Sequence, residues 1–242
     1  MTTPRFYVSS DALRSGGLCI EGEDHHHASR VLRMKKGDMV LLMDGKGCVG
    51  HGKVSAIDAA CMRVEVAYIS DVPQERPRLH LFQGLPHGSK MDDVVHWGVE
   101  LGAASLVPFL SSRTGSVDAP QTRRLVRWRR IAREAARVAG RAYIPEIEAV
   151  NAWPQAMEGL RRMDMALFAD EKGGCRPAEA LVNANPLDLG LVVGPEGGFS
   201  AAEREELLAL GAHPVTLGAS VMRTETAGMV LLAAVRCRYG LL

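Results

Sequence analysis

The sequence lacks the patterns that would place it among secreted or membrane proteins. Its 242 residues include five cysteines, an odd and widely scattered set without a C-x-x-C pair. A disulfide framework and a cysteine zinc site are therefore not expected, and reduced thiols indicate a cytoplasmic protein. No apolar run is long enough to cross a bilayer, and the first residues do not resemble a signal peptide, so no membrane partner is expected.

Metal and nucleotide-hydrolase signatures are also missing. The two glycine loops of the C-terminal region are neither P-loops nor dinucleotide-binding turns, and no aspartate cluster is available for Mg²⁺. His25-His26-His27 are consecutive, so on a helix they point in different directions and do not converge on one ion. We therefore expect no metal, and a nucleotide hydrolase is disfavoured.

Residues 189–230 carry the most informative pattern, which predicts strand, glycine turn, helix, strand, glycine loop and helix. The apolar run Leu189–Val193 has the length of a buried strand. Ser200 followed by Glu203 forms a capping box, which predicts a helix over residues 201–210 that ends at Gly211. Residues 213–217 form the second predicted strand, and a closing helix is expected from about residue 225 to residue 237.

Each glycine loop follows a strand and precedes a helix. Open α/β sheets bind ligands at such places, because backbone N–H groups converge there and no side chain blocks the approach. Ordinary strand-to-helix turns would show a similar pattern. The presence of two such loops, with Arg223 and Glu225 in the second, favours a binding site.

The remaining chain indicates two domains. Residues 1–72 contain short strand-like segments separated by glycine and aspartate turns, with a helix expected from Asp24, as its cap, to Met34. The segment 71–78 is polar and contains two prolines, as linkers do. Beyond it, strands over 79–85, 105–110 and 165–169 alternate with helices. This alternation predicts an α/β domain over residues 73–242, with a parallel sheet flanked by helices.

The net charge is only +1, yet one helix is strongly basic. Eight arginines lie between Arg123 and Arg141, with Glu134 as the only acid among them. Arg123, Arg127, Arg130, Arg137 and Arg141 fall on one helical stripe. A solvated helix face normally mixes charge signs, so this stripe predicts a polyanionic partner such as RNA. His27, Arg30 and Arg33 could form a second phosphate-binding face at i, i+3 and i+6.

Several motifs together resemble one family. GPEGGFS with Glu203, followed by LGASVMRTETA, is similar to the signature of the SPOUT methyltransferases that modify uracil N3 in 16S ribosomal RNA. Further matching segments are Pro4–Val8, His27 with Val31-Leu32-Arg33, Lys90-Met91 with Glu100-Leu101-Gly102, and Gly140-Arg141 with Pro145-Glu146-Ile147. The paired C-terminal motifs are the specific part of this likeness.

The resemblance implies a homodimeric protein with a PUA-like β-barrel over residues 1–72, a SPOUT domain over residues 73–242 and a C-terminal trefoil knot. It implies S-adenosyl-L-methionine as the cofactor and 16S rRNA or the small ribosomal subunit as the partner. The implied cofactor residues are Phe168, Glu171, Gly194, Pro195, Glu196, Gly197, Gly198, Leu217, Gly218, Val221, Met222, Arg223, Thr226 and Ala227. The expected RNA contacts are Arg5, His27, Arg30, Arg33, Lys90, Arg123, Arg127, Arg130 and Arg141.

Two residues are expected to act in catalysis. Arg223 could stabilise an anionic uracil, and Glu225 could accept the N3 proton. A structural Arg223–Glu225 ion pair is the alternative for both. A SPOUT enzyme that methylates a ribose 2′-oxygen or another base would share these loops. A non-catalytic RNA-binding assembly factor could retain the same fold.

Overall fold

The computed structural model describes residues 3–114 and 121–242. These form two compact units, of which the first comprises Met1–Gln74 with Ala136–Ile144 and the second Glu75–Ala135 with Pro145–Leu242. The first unit therefore also contains Ala136–Ile144, which the predicted division into residues 1–72 and 73–242 places in the second domain.

The first unit is built on a five-stranded sheet in the order β1-β3-β4-β5-β2. Its strands are β1 (Arg5–Tyr7), β2 (Gly17–Ile20), β3 (Met39–Met43), β4 (Cys48–Ile57) and β5 (Met62–Asp71). β1 pairs with β3 in parallel and the other pairs are antiparallel. A short helix α1 (Ser10–Arg14) and β2 are absent from the sequence-based expectation, because segments of five and four residues are too short to show a period.

The helix expected over residues 24–34 is shorter and broken. Helix α2 (Gly22–His26) begins after Glu21, not at Asp24, and a π-helical turn, His27–Val31, follows it. Arg33 lies beyond this turn with a φ of 51°, in the left-handed region. The single face predicted for His27, Arg30 and Arg33 is therefore not formed, since only the first two belong to the π-helical turn.

The segment 136–144 joins the first unit through its backbone. The Gly47 amide donates to the Ala142 carbonyl over 3.1 Å, and the Ile144 amide donates to the Gly45 carbonyl over 3.0 Å. The hydroxyl of Tyr7 donates to the Arg141 carbonyl. These contacts bind the segment after the arginine-rich helix to the sheet turns of the first unit.

The second unit contains a parallel sheet in the order β12-β10-β11-β6-β7-β8, with β9 also paired to β7. Its strands are β6 (Arg78–Gly84), β7 (Ser105–Leu110), β8 (Glu146–Ile147), β9 (Asn151–Ala152), β10 (Met165–Ala169), β11 (Asp188–Val193) and β12 (His213–Val215). The helices are α3 (Lys90–Glu100), α4 (Gln121–Ala139), α5 (Trp153–Leu160), α6 (Pro177–Ala180), α7 (Ala201–Ala209) and α8 (Thr224–Arg238). The predicted α/β fold with a parallel sheet is thus confirmed.

The burial of the longer strands in the sheet core explains why the sequence predicts them correctly. Leu81 and Phe82 of β6, Leu191 of β11 and Phe168 of β10 are buried among the flanking helices. Strands buried on both faces appear as short continuous apolar runs. Because the strands are parallel, β6, β10, β11 and β12 end at the same edge of the sheet, and the loops that leave these ends meet there.

Candidate cofactor site

A cavity of about 380 Å³ opens at the carboxyl edge of β10, β11 and β12. Three loops and the start of α8 form its wall. The loop residues are Asp170, Glu171 and Lys172 after β10, Gly194, Pro195, Glu196, Gly198 and Phe199 after β11, and Thr216 to Arg223 after β12. The two glycine loops predicted to form a site therefore lie on one cavity.

Local backbone chemistry shapes the first glycine loop. The Gly198 amide donates to the Pro195 carbonyl over 2.9 Å, closing a tight turn, and Gly198 has a φ of 64° that other residues rarely adopt. The Ser200 hydroxyl then accepts from the Glu203 amide, and the Glu203 carboxylate accepts from the Ser200 amide, as the predicted capping box requires. Helix α7 consequently begins directly after the turn.

Most of the residues that the resemblance assigns to the cofactor line this cavity. They are Glu171, Gly194, Pro195, Glu196, Gly198, Leu217, Gly218, Val221, Met222, Arg223 and Ala227. Phe168, Gly197 and Thr226 are not among the described lining residues. Phe168 is fully buried in the core, and the Gly197 carbonyl accepts from the Arg113 guanidinium over 2.8 Å.

Lys90 and two carboxylates form a charged cluster beside the first glycine loop. The Lys90 ammonium lies 2.9 Å from Glu196 Oε1 and 3.9 Å from Glu225 Oε2. Burial alone would raise the pKa of Glu196, but hydrogen bonds from Lys90 and from the His87 amide outweigh it, so the pKa of this carboxyl lies below its usual value. Glu196 is therefore ionised at neutral pH.

Glu225 does not line the cavity among the described residues, and its side chain is turned toward Lys90. Its Oε2 atom is buried and has no hydrogen-bond partner in the described part of the chain. Arg223 lines the cavity with an exposed side chain. The Arg223–Glu225 ion pair considered above is not formed between these described residues, since the nearest cation to Glu225 is Lys90.

Sequence reasoning predicted the loop 168–171 without assigning a role to Asp170, and it missed Thr224. Asp170 is 8% exposed and accepts from Arg204 Nε over 2.7 Å and from the Lys172 amide over 3.0 Å. Thr224, the first residue of α8, also lies on the wall. The position of Asp170 directly after a buried strand is the signal that could have identified it, because that is where side chains reach the ligand edge of a parallel sheet.

The predicted RNA contacts are spread over both units. Arg123, Arg127 and Arg130 are exposed on α4, opposite the buried Trp128 and Ala132. Arg127 is paired with Asp92 of α3 over 2.6 Å, which raises the pKa of its guanidinium, so the stripe is less purely basic than the sequence suggests.

The other predicted RNA contacts lie mainly in the first unit. Helix α4 ends at Ala139, so Arg141 lies beyond the helix and outside the predicted stripe. Within the first unit the Arg5 guanidinium packs against Gly140, and His27, Arg30 and Arg33 lie around the π-helical turn. Lys90 belongs to the charged cluster described above.

Among the described residues there is no group of three or more His, Cys, Asp or Glu side chains that could hold a metal ion. No helix within residues 3–114 and 121–242 is long and apolar enough to span a bilayer.

Comparison with known proteins agrees with this architecture. Residues 73–236 match the family described as the RNA methyltransferase domain, and residues 20–59 match the RNA methyltransferase PUA domain. Ribosomal RNA small subunit methyltransferase E of Mycobacterium bovis is 31% identical over 241 residues, covering 97% of this chain and 92% of the relative. The protein of the same name from Bacillus subtilis is 29% identical over 232 residues, covering 92% of this chain and 91% of the relative.

A solved structure extends the likeness to three dimensions. Ribosomal RNA small subunit methyltransferase E from Neisseria gonorrhoeae, bound to S-adenosyl methionine, aligns with a TM-score of 0.83 at 25% identity and covers 98% of each chain. The family match spans more than half of this chain, and the expected PUA domain and methyltransferase fold are both confirmed. The chain belongs to the RNA methyltransferase family that includes ribosomal RNA small subunit methyltransferase E.

Proposed function

We propose that this protein transfers a methyl group from S-adenosyl-L-methionine to N3 of a specific uridine in 16S ribosomal RNA of the small ribosomal subunit. The names of its relatives and the S-adenosyl methionine bound to the Neisseria gonorrhoeae protein support this activity. The single observation that carries it is the cavity at the carboxyl edge, onto which both glycine loops converge.

The cavity suits a ligand with an adenosine and a charged amino-acid end. Its volume of about 380 Å³ lies in the range of roughly 300–1,000 Å³ found for small-molecule sites. Leu217, Val221 and Met222 supply apolar surface for a flat ring. Gly194 and Gly218 have no side chain, so the backbone at these positions can come close to the ligand. Glu171, Asp170 and Lys172 add charged side chains to the lining of the same cavity.

When bound, the cofactor supplies an electrophilic methyl group. Uracil N3 is protonated at neutral pH and becomes a nucleophile only when that proton leaves, after which the new bond to the methyl carbon forms as the old carbon–sulfur bond breaks. Arg223 on the cavity wall favours the anionic base by its positive charge. Holding the base in line with the methyl group supplies much of the remaining acceleration.

We assign proton acceptance to Glu225. Its support is the buried Oε2 atom, which has no hydrogen-bond partner among the described residues and lies at the start of the helix that follows the second glycine loop. The change Glu225→Gln keeps the size of the side chain and removes its basicity. A variant that binds the cofactor normally but has lost most of its turnover supports the assignment, and full turnover removes it.

We also propose that the first unit and α4 bind RNA and that the C-terminus is knotted. The protein is further proposed to be a cytoplasmic homodimer. The PUA domain match and the exposed arginines of α4 support the RNA contact. The strand order, which places β12 beside β10 and β11 beside β6, supports the knot. The partly exposed Trp97 of α3 supports a protein contact. Sedimentation of the pure protein tests the dimer, and a fully active monomer contradicts it.

The decisive experiment is methyl transfer from labelled cofactor to isolated small ribosomal subunits and to naked 16S rRNA, with mapping of the modified nucleotide. Nucleoside mass spectrometry separates a base mark from a ribose mark. Label on uracil N3 supports the proposal. A 2′-O-methyl product, or cofactor binding without transfer to either substrate, overturns it in favour of another SPOUT activity or an assembly factor.

A further inference from the structure

A buried glutamine connects the two cavity loops from behind. Gln83, at the end of β6, is fully buried and donates through Nε2 to the Thr224 hydroxyl over 2.7 Å and to the Gly84 carbonyl over 3.0 Å. The Thr224 hydroxyl donates in turn to the Gly194 carbonyl. A chain of hydrogen bonds thus runs from β6 through the first residue of α8 to the first glycine loop.

The direction of this chain is fixed by chemistry. The Gly84 carbonyl can only accept, so the Gln83 amide must present its NH₂ group to it and to Thr224. Thr224 has one hydroxyl proton, and because it accepts from Gln83, that proton is directed to Gly194. Gln83 therefore determines which way the Thr224 hydroxyl points.

The surrounding glycines show how closely the end of β6, the first glycine loop and α8 approach one another. A Cβ at Gly84 would lie 2.3 Å from the Pro195 nitrogen, and a Cβ at Gly228 of α8 would lie 3.0 Å from Gln83 Oε1. Both Thr224 and Gly194 line the cavity, whereas Gln83 does not. The hydrogen-bond chain therefore acts on the cavity wall from the opposite side.

Gln83 does not serve stability in an obvious way. Its Oε1 atom is buried and lacks a hydrogen-bond partner among the described residues. The free energy that this unpaired carbonyl costs offsets part of what the two amide hydrogen bonds contribute. A buried residue with an unpaired polar atom, which orients a cavity-wall hydroxyl, is expected where function depends on geometry.

We propose that Gln83 and Thr224 are positioning residues, which hold the first glycine loop and the start of α8 in the arrangement that the cofactor requires. This rests on the proposed function, in which this cavity binds S-adenosyl-L-methionine. Gln83 acts only through Thr224, so the two residues form one unit. Their contribution is to hold the site in its binding arrangement before the cofactor arrives, without contact with the methyl group.

The test is calorimetric titration of S-adenosyl-L-methionine into the full-length protein and four variants. Thr224→Val keeps the shape and removes the hydroxyl, and Gln83→Met removes the amide. Each is expected to weaken binding about tenfold, the effect of one lost buried hydrogen bond. Thr224→Ser keeps the hydroxyl and is expected to bind within about threefold of the wild type. The double variant is expected to bind no more weakly than Thr224→Val, because Gln83 acts through the same hydroxyl.

Ser105→Ala is the matched control, since it also removes a buried hydroxyl, one that lies 2.8 Å from His80 at the other edge of the sheet. Its cofactor affinity is expected to equal that of the wild type.

If Thr224→Val fails to fold, Gln83→Met carries the test, because it removes the unpaired Oε1 atom together with the amide donor, so these changes in stability oppose each other and Tm should stay nearly unchanged. If Gln83→Met or Thr224→Val binds the cofactor with wild-type affinity, the inference is overturned and the proposed function is unaffected. Absence of binding by the wild-type protein overturns the proposed function and the inference together.

Discussion

The two edges of the parallel sheet in the second unit use polar residues in opposite ways. At the amino edge, His80 of β6 lies 2.8 Å from both Ser105 of β7 and Asp188 of β11, and Arg78 pairs with the same aspartate. At the carboxyl edge, glycine loops surround a cavity, and the buried atoms Gln83 Oε1 and Glu225 Oε2 have no hydrogen-bond partner among the described residues.

This difference indicates that the amino edge of the sheet contributes to stability and the carboxyl edge to function. Serine, histidine and aspartate are joined at the amino edge in the order of a hydrolase triad. However, Ser105 is buried and Asp188 is already neutralised by Arg78, so neither is available for a substrate. Ligands of open α/β sheets bind at the carboxyl ends of strands. The amino-edge network is therefore expected to stabilise the fold, and the carboxyl edge to bind.

The largest expected effect is at the carboxyl edge. In Gly84→Ala the new Cβ would lie 2.3 Å from the Pro195 nitrogen, which is backbone and cannot rotate away. The loop must shift, so we expect cofactor affinity to fall by far more than tenfold and the free energy of unfolding to fall by about 3 kcal/mol. Titration with S-adenosyl-L-methionine and urea unfolding measure these two changes.

The control for this substitution is Gly17→Ala in β2, where the added Cβ meets only the Val64 carbonyl, at an ordinary 3.7 Å. It should bind the cofactor as the wild type does. If Gly84→Ala also bound normally, the cavity would tolerate a displaced first glycine loop, and the importance assigned to the carboxyl edge would be wrong.

Sequence alone predicts the parts of this comparison that depend on local patterns. The buried strands β6, β7, β10 and β11 are each predicted to within one residue at either end, because an apolar run identifies a strand that is buried on both faces. The Ser200–Glu203 capping box is equally local and is confirmed. The two glycine loops are visible for the same reason, since glycine turns between strands and helices leave a clear signal.

The missed features depend on contacts between distant residues. His80 and Asp188 are 108 residues apart, and Gln83 and Thr224 are 141 apart, so no periodicity joins them. Phe168 illustrates a second limit. The resemblance predicts it as a cofactor residue, but its side chain is buried in the core, and the cavity wall begins at the next residue, Ala169. A motif match locates a loop without showing which of its side chains face the ligand.

The amino edge provides the next largest effect. Asp188→Asn removes the charge that accepts from both Arg78 and His80, so we expect the free energy of unfolding at pH 7 to fall by about 2 kcal/mol. Cofactor affinity should not change. Glu158→Gln is the control, because its ion pair with Arg161 is more than half exposed and should contribute under about 0.5 kcal/mol. Weaker cofactor binding in Asp188→Asn would show that the two edges are coupled.

RNA binding is expected to depend mainly on the exposed arginines of α4. In the double variant Arg123→Ala/Arg130→Ala, two exposed cations of α4 are lost, and affinity for 16S rRNA should fall about tenfold near physiological salt. The slope of log affinity against log salt should become shallower by about 2, since each phosphate contact releases roughly one counterion. The matched control is Arg161→Ala/Arg162→Ala, two exposed arginines at the end of α5. An equal loss in both double variants would mean that only net charge matters.

The smallest expected effect is the pH dependence of the amino-edge network. Burial alone would raise the pKa of Asp188, but the hydrogen bonds from Arg78 and His80 outweigh it, so the folded-state pKa lies below the unfolded value of about 3.9. A carboxyl with a lowered pKa stabilises the fold above its unfolded pKa, and this contribution is lost as the pH falls through the folded pKa. The stability difference between wild type and Asp188→Asn should therefore be similar at pH 7 and pH 5 and smaller at about pH 3.5. Thermal unfolding of both proteins at these three values measures it. A difference that stayed constant to pH 3.5 would show that Asp188 stabilises the sheet through its shape and not through its charge.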